Sequence, residues 1–217
     1  MTELDRVYAA RFDERDRARK QEIWAEIVRH LQPHIAPDRA VLDLACDAGD
    51  FIRGVAAVER WATDARDVSA QLPPGVRFVQ GDGLALGDLL PAAHFGTVFM
   101  SNYLEHLPDA ASVVEQLRVA TGLLAPGGRV IVLQPNIRLV GGRYWDFIDH
   151  RVPLTERSLE EAATAAGLRT IRLVTRFLPY STKSRLPQDR RLVRLYLAFP
   201  PAWRLLGKQT LYVGERA

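Results

Sequence analysis

The chain has 217 residues and a mass of 24.3 kDa, and 47% of its residues are hydrophobic. This length and composition suit one domain with a substantial core and exclude an intrinsically disordered chain. The single cysteine excludes an internal disulfide, no Cys/His cluster has zinc-ligand spacing, and no apolar run is long enough to span a bilayer. Because no segment resembles a signal peptide, we expect a cytoplasmic protein.

The net charge of +3 is unevenly distributed along the chain. Residues 1–150 carry 16 Lys/Arg against 21 Asp/Glu, whereas residues 151–217 carry 13 against 5. A basic segment of this size favours a phosphorylated substrate, an anionic membrane surface or nucleic acid as partner. A solvated face rich in arginine is the alternative interpretation.

The first part of the chain is predicted to form a helix. Apolar residues recur at helical spacing over residues 3–32, and Pro33 and Pro37 end the segment. A charged run over residues 13–20 interrupts this pattern and predicts either a break or an exposed helix face. Such a helix either covers a cofactor crevice or packs against the edge of a sheet, and the sequence favours neither.

Residues 40–51 are the most informative stretch. Ala40–Leu44 predicts a strand, and a turn of small residues then leads into a helix from Asp50. This arrangement directs free backbone N–H groups into a crevice at the carboxyl end of the strand, where open α/β sheets bind cofactors. An acid at Asp43 would repel a pyrophosphate, but it suits a ligand with positive groups, such as the ammonium and sulfonium of S-adenosylmethionine.

Two further strands are predicted after this turn. The strand Arg60–Thr63 is followed by Asp64, whose spacing suits an acid that accepts hydrogen bonds from both ribose hydroxyls, with a plain turn aspartate as the alternative. Residues 76–83 predict a strand that runs into a turn. Residues beside these two strand ends are candidate cofactor contacts: Ala65, Gly81, Asp82 and Gly83.

The middle of the chain continues the alternation of strands and helices. A fourth strand is predicted at Thr97–Met100, a helix from Asp109 to Leu124, and a fifth strand at Arg129–Leu133. Such alternation implies a parallel sheet with right-handed crossovers. Three residues after the fourth strand are also candidate cofactor contacts: Ser101, Asn102 and Tyr103.

The stretch from Asp43 to Gly49 resembles motif I of class I S-adenosylmethionine-dependent methyltransferases, whose usual form is Asp-x-Gly-x-Gly-x-Gly. Here Ala45 and Asp47 replace the first two glycines. The later segments resemble the same family in order and spacing, including the Glu-His pair ahead of Leu-Pro-Asp after the fourth strand. The resemblance implies S-adenosylmethionine as cofactor, and Asp82 matches the family's acid that accepts from the adenine amino group. Asp47 either repels the methionine carboxylate of the cofactor or accepts from its amino group.

The resemblance also implies an α/β fold with a Rossmann-like sheet of seven mostly parallel strands, helices on both faces and an antiparallel last strand. We expect a single domain over residues 1–217. A helical cap occupies residues 1–39, a cofactor-binding half residues 40–136, and a substrate-side half residues 137–217 with an insertion at 178–209.

Methyl transfer to a hydroxyl requires removal of a proton, and histidine has a suitable intrinsic pKa. His106 follows the fourth strand, and His150 lies beyond the fifth strand with the acid Asp149 beside it. Both are candidate bases, although His106 could instead cap the following helix. Tyr144 and Trp145 are candidates for an apolar wall or a sugar-stacking surface, with packing in the core as the alternative. No trio of acids indicates a magnesium site, so no metal is predicted.

The basic part of the chain is predicted to contain a helix that ends at Ala166, strands at 169–177 and 210–213, and the insertion between these strands. In the insertion, Lys183 and Arg185 form a candidate anion site. A helix over residues 190–199 mixes arginines with apolar residues. It suits a membrane surface, a partner subunit such as a second copy of the chain, or packing over the sheet.

This back half resembles a bacterial subgroup of small methyltransferases associated with polysaccharide, lipopolysaccharide or sugar-containing secondary-metabolite pathways. The matching phrases are Gln134-Pro135-Asn136, Tyr144-Trp145 with Asp149-His150, Phe177-Leu178-Pro179-Tyr180 with Lys183-Ser184-Arg185, Leu195-Tyr196-Leu197 and Leu206-Gly207-Lys208-Gln209. The resemblance implies methylation of a small glycosyl, nucleoside or nucleotide-linked acceptor. A methyltransferase-like protein with weakened or lost transfer, or with non-methyl chemistry, is the alternative. Methylation of nucleic acid rests on the basic segment alone, and we expect no nucleic-acid partner.

Overall fold

One sheet organises the part of the chain that the structure describes, residues 14–180 and 189–216 of a computed structural model. Its strands are β1 (Ala40–Leu44), β2 (Glu59–Asp64), β3 (Val76–Gln80), β4 (Phe95–Ser101), β5 (Leu124–Pro135), β6 (Leu168–Val174) and β7 (Gln209–Arg216). Within the described residues the seven strands run in the order β3-β2-β1-β4-β5-β7-β6. The pairs from β3 to β5 are parallel, and β7 is antiparallel to both β5 and β6. The predicted Rossmann-like α/β fold is therefore confirmed.

Helices cover both faces of this sheet. Their bounds are α1 (Glu14–Leu31), α2 (Asp50–Gly54), α3 (Leu86–Leu89), α4 (Ala110–Leu123), α5 (Ile137–Val140), α6 (Glu156–Ala165), α7 (Arg190–Ala198) and α8 (Pro200–Leu206). Short 3-10 turns connect several of them, including one at 104–106 and one at 141–146. Side-chain caps begin two of the longer helices: Asp109 accepts from Ser112 N, and Thr155 accepts from Ser158 N.

The strands alternate between two apolar cores. On β1, Leu42 and Leu44 pack on the face that α4 and α6 cover, whereas Val41 packs on the face that α1 and α2 cover. This period of two is the pattern expected of strands with both faces buried. Phe51 of α2 stacks on Phe99 of β4 with ring centroids 3.8 Å apart, which fixes the short helix over the carboxyl ends of β1 and β4.

Helix α1 continues through the described part of the charged run instead of breaking there, and residues 17–19 are exposed. Further along the helix, Glu26 is only 1% exposed and is surrounded by arginines. It accepts from Arg190 Nε at 2.7 Å and from Arg194 Nη2 at 2.9 Å, and it also pairs with Arg29. These contacts attach α1 to α7. No helix in residues 14–180 and 189–216 combines the length and apolarity needed to cross a bilayer.

Candidate active site at the carboxyl ends of the strands

Acids follow or end three neighbouring parallel strands. Asp43 lies in β1, Asp64 ends β2 and Asp82 follows β3, so all three lie toward the same edge of the sheet. Asp43 is 3% exposed, and its Oδ2 accepts a hydrogen bond from Ile52 N at 3.3 Å. Burial raises the pKa of Asp43 well above its usual range. Asp43 therefore faces α2. Asp64 is also buried, whereas Asp82 is exposed.

The turn after β1 keeps a glycine-like backbone although two of its expected glycines are replaced. Ala45 has φ 56°, Asp47 has φ 48° and Gly49 has φ 71°. Side chains of L residues are strained in this left-handed region, at a cost of about 1–2 kcal/mol, and aspartate is less disfavoured there than alanine. The φ of Gly49 is the reason this third position favours glycine, and a Cβ there would also displace the terminal methyl of Leu72, 2.5 Å away.

Asp64, the predicted ribose-binding acid, already accepts several hydrogen bonds. Its Oδ2 accepts from Asp47 N at 3.0 Å, and its Oδ1 accepts from Arg66 N at 3.0 Å and from Arg66 Nε at 3.2 Å. The other end of the same guanidinium donates from Nη2 to Asp47 Oδ1 at 3.0 Å. Arg66 therefore bridges the acid at the tip of β2 and the acid in the turn.

A second cation reaches the turn from α1. Lys20 Nζ lies 2.9 Å from Asp50 Oδ2 and 3.6 Å from Asp47 Oδ2. Burial acts to raise the pKa of Asp47, but Lys20 and Arg66 outweigh it and lower that pKa below its usual value. The charge that the sequence places at Asp47 is thus matched by two cations, which weakens the repulsion expected between this side chain and a ligand carboxylate. Neither Lys20 nor Arg66 was predicted as a site residue.

The turn after β3 contacts the segment after β4. Asp82 is exposed, and its Oδ1 accepts from Leu84 N at 2.9 Å. Gln116 Nε2 donates to Gly83 O at 3.1 Å, while Gln116 Oε1 accepts from the Tyr103 hydroxyl at 2.7 Å. A Cβ on Gly83 would overlap both Tyr103 and Gln116. Glycine at this position therefore lets the two turns approach each other, and Gln116 on α4 is a supporting residue that the sequence did not reveal.

The remaining predicted cofactor contacts lie at the same edge of the sheet. Gly81 N donates to Asp64 O at 3.0 Å, which ties the β3 turn to the tip of β2, and Ala65 is exposed. At the end of β4, Asn102 has φ 48° and donates from Nδ2 to Ser101 Oγ at 3.0 Å. The strand order thus gathers the predicted cofactor residues at one edge.

The two candidate bases come together although they are distant in sequence. Glu105 O accepts from Arg151 N at 2.8 Å and from Val152 N at 3.1 Å, which joins the turn at 104–106 to the chain after the turn at 141–146. His106 Nδ1 then lies 3.1 Å from Asp149 O and 3.5 Å from Asp149 Oδ2. Asp149, predicted as the partner of His150, therefore contacts His106.

His150 lies among aromatic rings. Its ring centroid is 4.6 Å from that of Tyr144, 5.1 Å from that of Phe147 and 5.0 Å from that of His106. Tyr144 is fully buried and packs against His150, which agrees with the core-packing alternative, and its contact with an acceptor stays a prediction. Trp145 is 53% exposed and is accessible to an acceptor. The predicted anion-binding residues Lys183 and Arg185 lie outside the described residues.

Glu105 is a further member of this region that the prediction did not include among the site residues. Its side chain is 1% exposed, and burial raises its pKa to about 8. Within the described part of the chain, neither carboxyl oxygen has a hydrogen-bond partner. The available sequence signal was a carboxylate between the apolar residues Leu104 and Leu107 at the end of a buried strand.

The strand order, with its antiparallel last strand, is the Rossmann-like fold of the class I S-adenosylmethionine-dependent methyltransferases. The chain belongs to a methyltransferase-domain family, whose sequence profile matches residues 15–173. S-adenosylmethionine is the cofactor of this class. Among curated protein sequences, none is significantly similar to the chain.

Solved structures with a similar fold are numerous and distant in sequence. An S-adenosylmethionine-dependent methyltransferase from Archaeoglobus fulgidus has 17% identity and a TM-score of 0.65, over 90% of this chain and 94% of that one. A Haloferax volcanii complex of the Trm112 methyltransferase activator with a methyltransferase gives 16% identity and a TM-score of 0.68, over 96% of each chain. The cyclase SpnF gives 16% identity and a TM-score of 0.61, over 90% of this chain and 80% of that one. At these identities the likeness shows the fold alone.

Proposed function

We propose that this protein transfers a methyl group from S-adenosylmethionine to a hydroxyl or amine of a small glycosyl, nucleoside or nucleotide-linked acceptor in bacterial polysaccharide or secondary-metabolite biosynthesis. The observation that carries the proposal is the grouping of Asp43, Asp64 and Asp82 at the tips of adjacent parallel strands, beside the left-handed turn at 45–49. The donor supplies an activated methyl group when it is bound, so the protein has to align the acceptor with it and manage the acceptor's proton.

The cofactor-binding roles follow from the chemistry of each position. Asp64 would accept hydrogen bonds from the ribose hydroxyls. These would replace hydrogen bonds that Arg66 donates to it in the present structure. Asp82 is exposed and would accept from the adenine amino group. Gly83 and Tyr103 would line the same side, because the hydrogen bonds of Gln116 hold them together. The buried Asp43 would act by fixing the first turns of α2.

The acceptor end is the region around the two histidines. His106 and His150 would accept a proton from an acceptor hydroxyl, and Asp149 supports the orientation of His106. The exposed ring of Trp145 suits stacking on a sugar face. Lys183 and Arg185 are proposed to hold a phosphate of the acceptor on the strength of their sequence alone.

Calorimetric titration with S-adenosylmethionine tests the cofactor part of this proposal. We expect Asp64→Asn to weaken binding about tenfold or more, because an amide cannot accept from two hydroxyls as a carboxylate does, and tenfold corresponds to about 1.4 kcal/mol. The control is Asp88→Asn, at an exposed position on α3, for which the dissociation constant should not change. Absence of cofactor binding by the parent chain would contradict the proposal.

A second candidate is a methyltransferase-like protein that has lost transfer or catalyses non-methyl chemistry. The replaced glycines and the bridge from Asp47 through Arg66 to Asp64 favour it, because they occupy the positions where the donor binds. The fold shared with the cyclase SpnF is compatible with this alternative. Tight cofactor binding by Asp47→Gly that the parent chain lacks would support this candidate, whereas equal, tight binding by both proteins would exclude it.

A further inference from the structure

Three side chains with metal-ligating atoms converge beyond the end of β4. Glu105, His106 and His150 each offer one such atom, and these atoms all lie within 4.8 Å of one another. Glu105 and His106 are adjacent in the turn at 104–106, while His150 is brought in by the hydrogen bonds that Arg151 N and Val152 N donate to Glu105 O. The cluster is therefore a product of the fold and is not visible as a sequence motif.

The carboxyl group of Glu105 lacks a structural explanation. It is 1% exposed, and in the described ranges 14–180 and 189–216 neither oxygen has a hydrogen-bond partner. Burial of a carboxylate costs several kcal/mol unless the group is paired or coordinates a metal. Most buried acids in this protein have such compensation: Glu26 binds arginines, and Glu156 binds Asn136 and Arg138. The orphaned oxygens of Glu105 instead lie beside two imidazoles.

Both imidazoles are held in place by neighbours. His106 Nδ1 is within hydrogen-bond distance of Asp149 O, and a proton on Nδ1 leaves the lone pair of the ring on Nε2. Metal-binding histidines commonly donate their other ring N–H to a carbonyl or carboxylate in this way. His150 is fixed by the rings of Tyr144 and Phe147. Ordered imidazoles next to a buried carboxyl group are the supporting arrangement that a metal site requires.

We propose that Glu105, His106 and His150 bind one divalent transition-metal ion of the zinc type. Two imidazoles and one carboxylate are a ligand set that zinc and iron use in sites with an open coordination position. In a tetrahedral zinc site with bonds of about 2.1 Å the ligand atoms lie about 3.4 Å apart, so side-chain movements on the order of 1 Å would close the cluster around the ion. The inference deepens the proposed function and rests on it in one respect: the open position would take an oxygen of the acceptor. Since the ion would occupy the lone pairs of His106 and His150, these histidines would act as ligands in place of the proton-accepting role proposed above, and the ion would lower the pKa of the bound acceptor hydroxyl.

Calorimetric titration of the full chain with Zn²⁺ alone, without S-adenosylmethionine, tests this site. We expect one ion per chain, and binding more than about 100-fold weaker in Glu105→Gln and in His150→Gln, because loss of a direct ligand costs more than the 10- to 100-fold typical of a residue that only supports a ligand. The matched control is His94→Gln, which removes an imidazole 3.6 Å from a Glu59 oxygen just before β4 begins, and it should bind Zn²⁺ as the parent does. Parallel titration with Mg²⁺ should show much weaker binding, because imidazole ligands favour transition metals.

Absence of saturable Zn²⁺ binding, equal binding by the parent and both site variants, or tighter binding of Mg²⁺ than of Zn²⁺ would overturn the proposal. Far-UV circular dichroism verifies that each variant folds. A measurement on the parent chain makes the test independent of the variants: Zn²⁺ should protect His106 and His150, but not His94, from modification by diethyl pyrocarbonate, and lack of selective protection also overturns it. Cofactor binding without Zn²⁺ binding would refute this inference and leave the proposed function intact. Zn²⁺ binding without cofactor binding would contradict the proposed function and leave the metal site intact.

Discussion

Two regions at the same edge of the sheet differ in how their acidic side chains are compensated. At the tips of β1 and β2, Asp47 and Asp64 are paired with cations from α1 and from the turn after β2. At the end of β4, Glu105 is buried without a hydrogen-bond partner in the described residues, and its pKa is raised to about 8. In the first region the carboxylates already form ion pairs with lysine and arginine side chains. In the second region the carboxyl group of Glu105 has no such partner among the described residues, and a bound cation would supply one. The comparison shows that the position of a carboxylate at a strand end does not by itself predict its ligand. The charged neighbours of the carboxylate determine whether it can bind a further cation.

The largest expected effect concerns stability against pH. The pKa of Glu105 is about 8 in the folded chain against 4.5 for an ordinary glutamate, so the folded state holds an extra proton between these values. The free energy of unfolding should therefore fall as pH rises through this window, by about 1.4 kcal/mol per unit and a few kcal/mol in all. Glu105→Gln should remove this contribution, as measured by urea unfolding at pH 5, 6.5 and 8 with a chelator present.

The control for this comparison is Glu115→Gln, because Glu115 is an exposed glutamate on α4. Its unfolding free energy should follow that of the parent at every pH within about 0.5 kcal/mol. Since burial also raises the pKa of Asp43, the informative quantity is the difference between parent and variant at each pH. If this difference is the same at pH 5 and pH 8, the interpretation of Glu105 as a buried neutral acid is wrong.

A smaller effect is expected when the matched region loses its bridging cation. Arg66→Gln leaves Asp47 and Asp64 without the guanidinium that joins them, and we expect a loss of about 1–2 kcal/mol of unfolding free energy. Thermal and urea unfolding at low and high salt would measure it, and the loss should shrink at high salt because Arg66 is partly exposed. Arg118→Gln, which breaks the exposed pair with Glu115, should cost well under half as much. Equal losses of unfolding free energy from Arg66→Gln and Arg118→Gln would contradict the view that Arg66 contributes more to stability than an exposed surface pair.

The smallest effect concerns the backbone of the turn. Ala45→Gly removes a side chain from a residue at φ 56°, and we expect a gain of about 0.5–1 kcal/mol in unfolding free energy. Ala48→Gly, in the same turn but absent from the residues with positive φ, should be neutral or destabilising. Urea unfolding of both variants makes the comparison. A loss at position 45 would show that its alanine contributes packing that outweighs its strain.

Much of the fold follows from sequence patterns alone. Strand β1 has the predicted bounds, because its apolar run is flanked by clear turn residues. The fifth strand is longer than predicted, since Ala125 to Gly128 has the composition of a turn but lies within β5, where the pairing with β4 is irregular and Gly127 has φ 67°. Helix α2 begins at the predicted Asp50 but ends at Gly54, short of the Val58 that the sequence predicts, and α8 was not predicted.

The candidate site is predictable to the extent that strand order determines it. Parallel strands end at a common edge, so acids after β1, β2 and β3 had to gather there. Contacts that depend on side chains crossing between elements gave no sequence signal. The contact of Lys20 with Asp50 requires the position of α1, and the meeting of Glu105 with His150 requires the chain to return to the end of β4 after β5. Such contacts arise from tertiary packing and have no periodicity in the sequence.

Helix α1 forms ion pairs with two other parts of the molecule, the turn region after β1 and helix α7. Lys20 forms an ion pair with Asp50 at the start of α2. Further along α1, Glu26 forms ion pairs with Arg190 and Arg194 of α7, which belongs to the insertion before β7. Helix α1 thus links the turn after β1 to α7 through ion pairs at two of its positions. A tilt of α1 large enough to separate Lys20 from Asp50 would also strain the ion pairs of Glu26, so we expect both sets of contacts to be lost together.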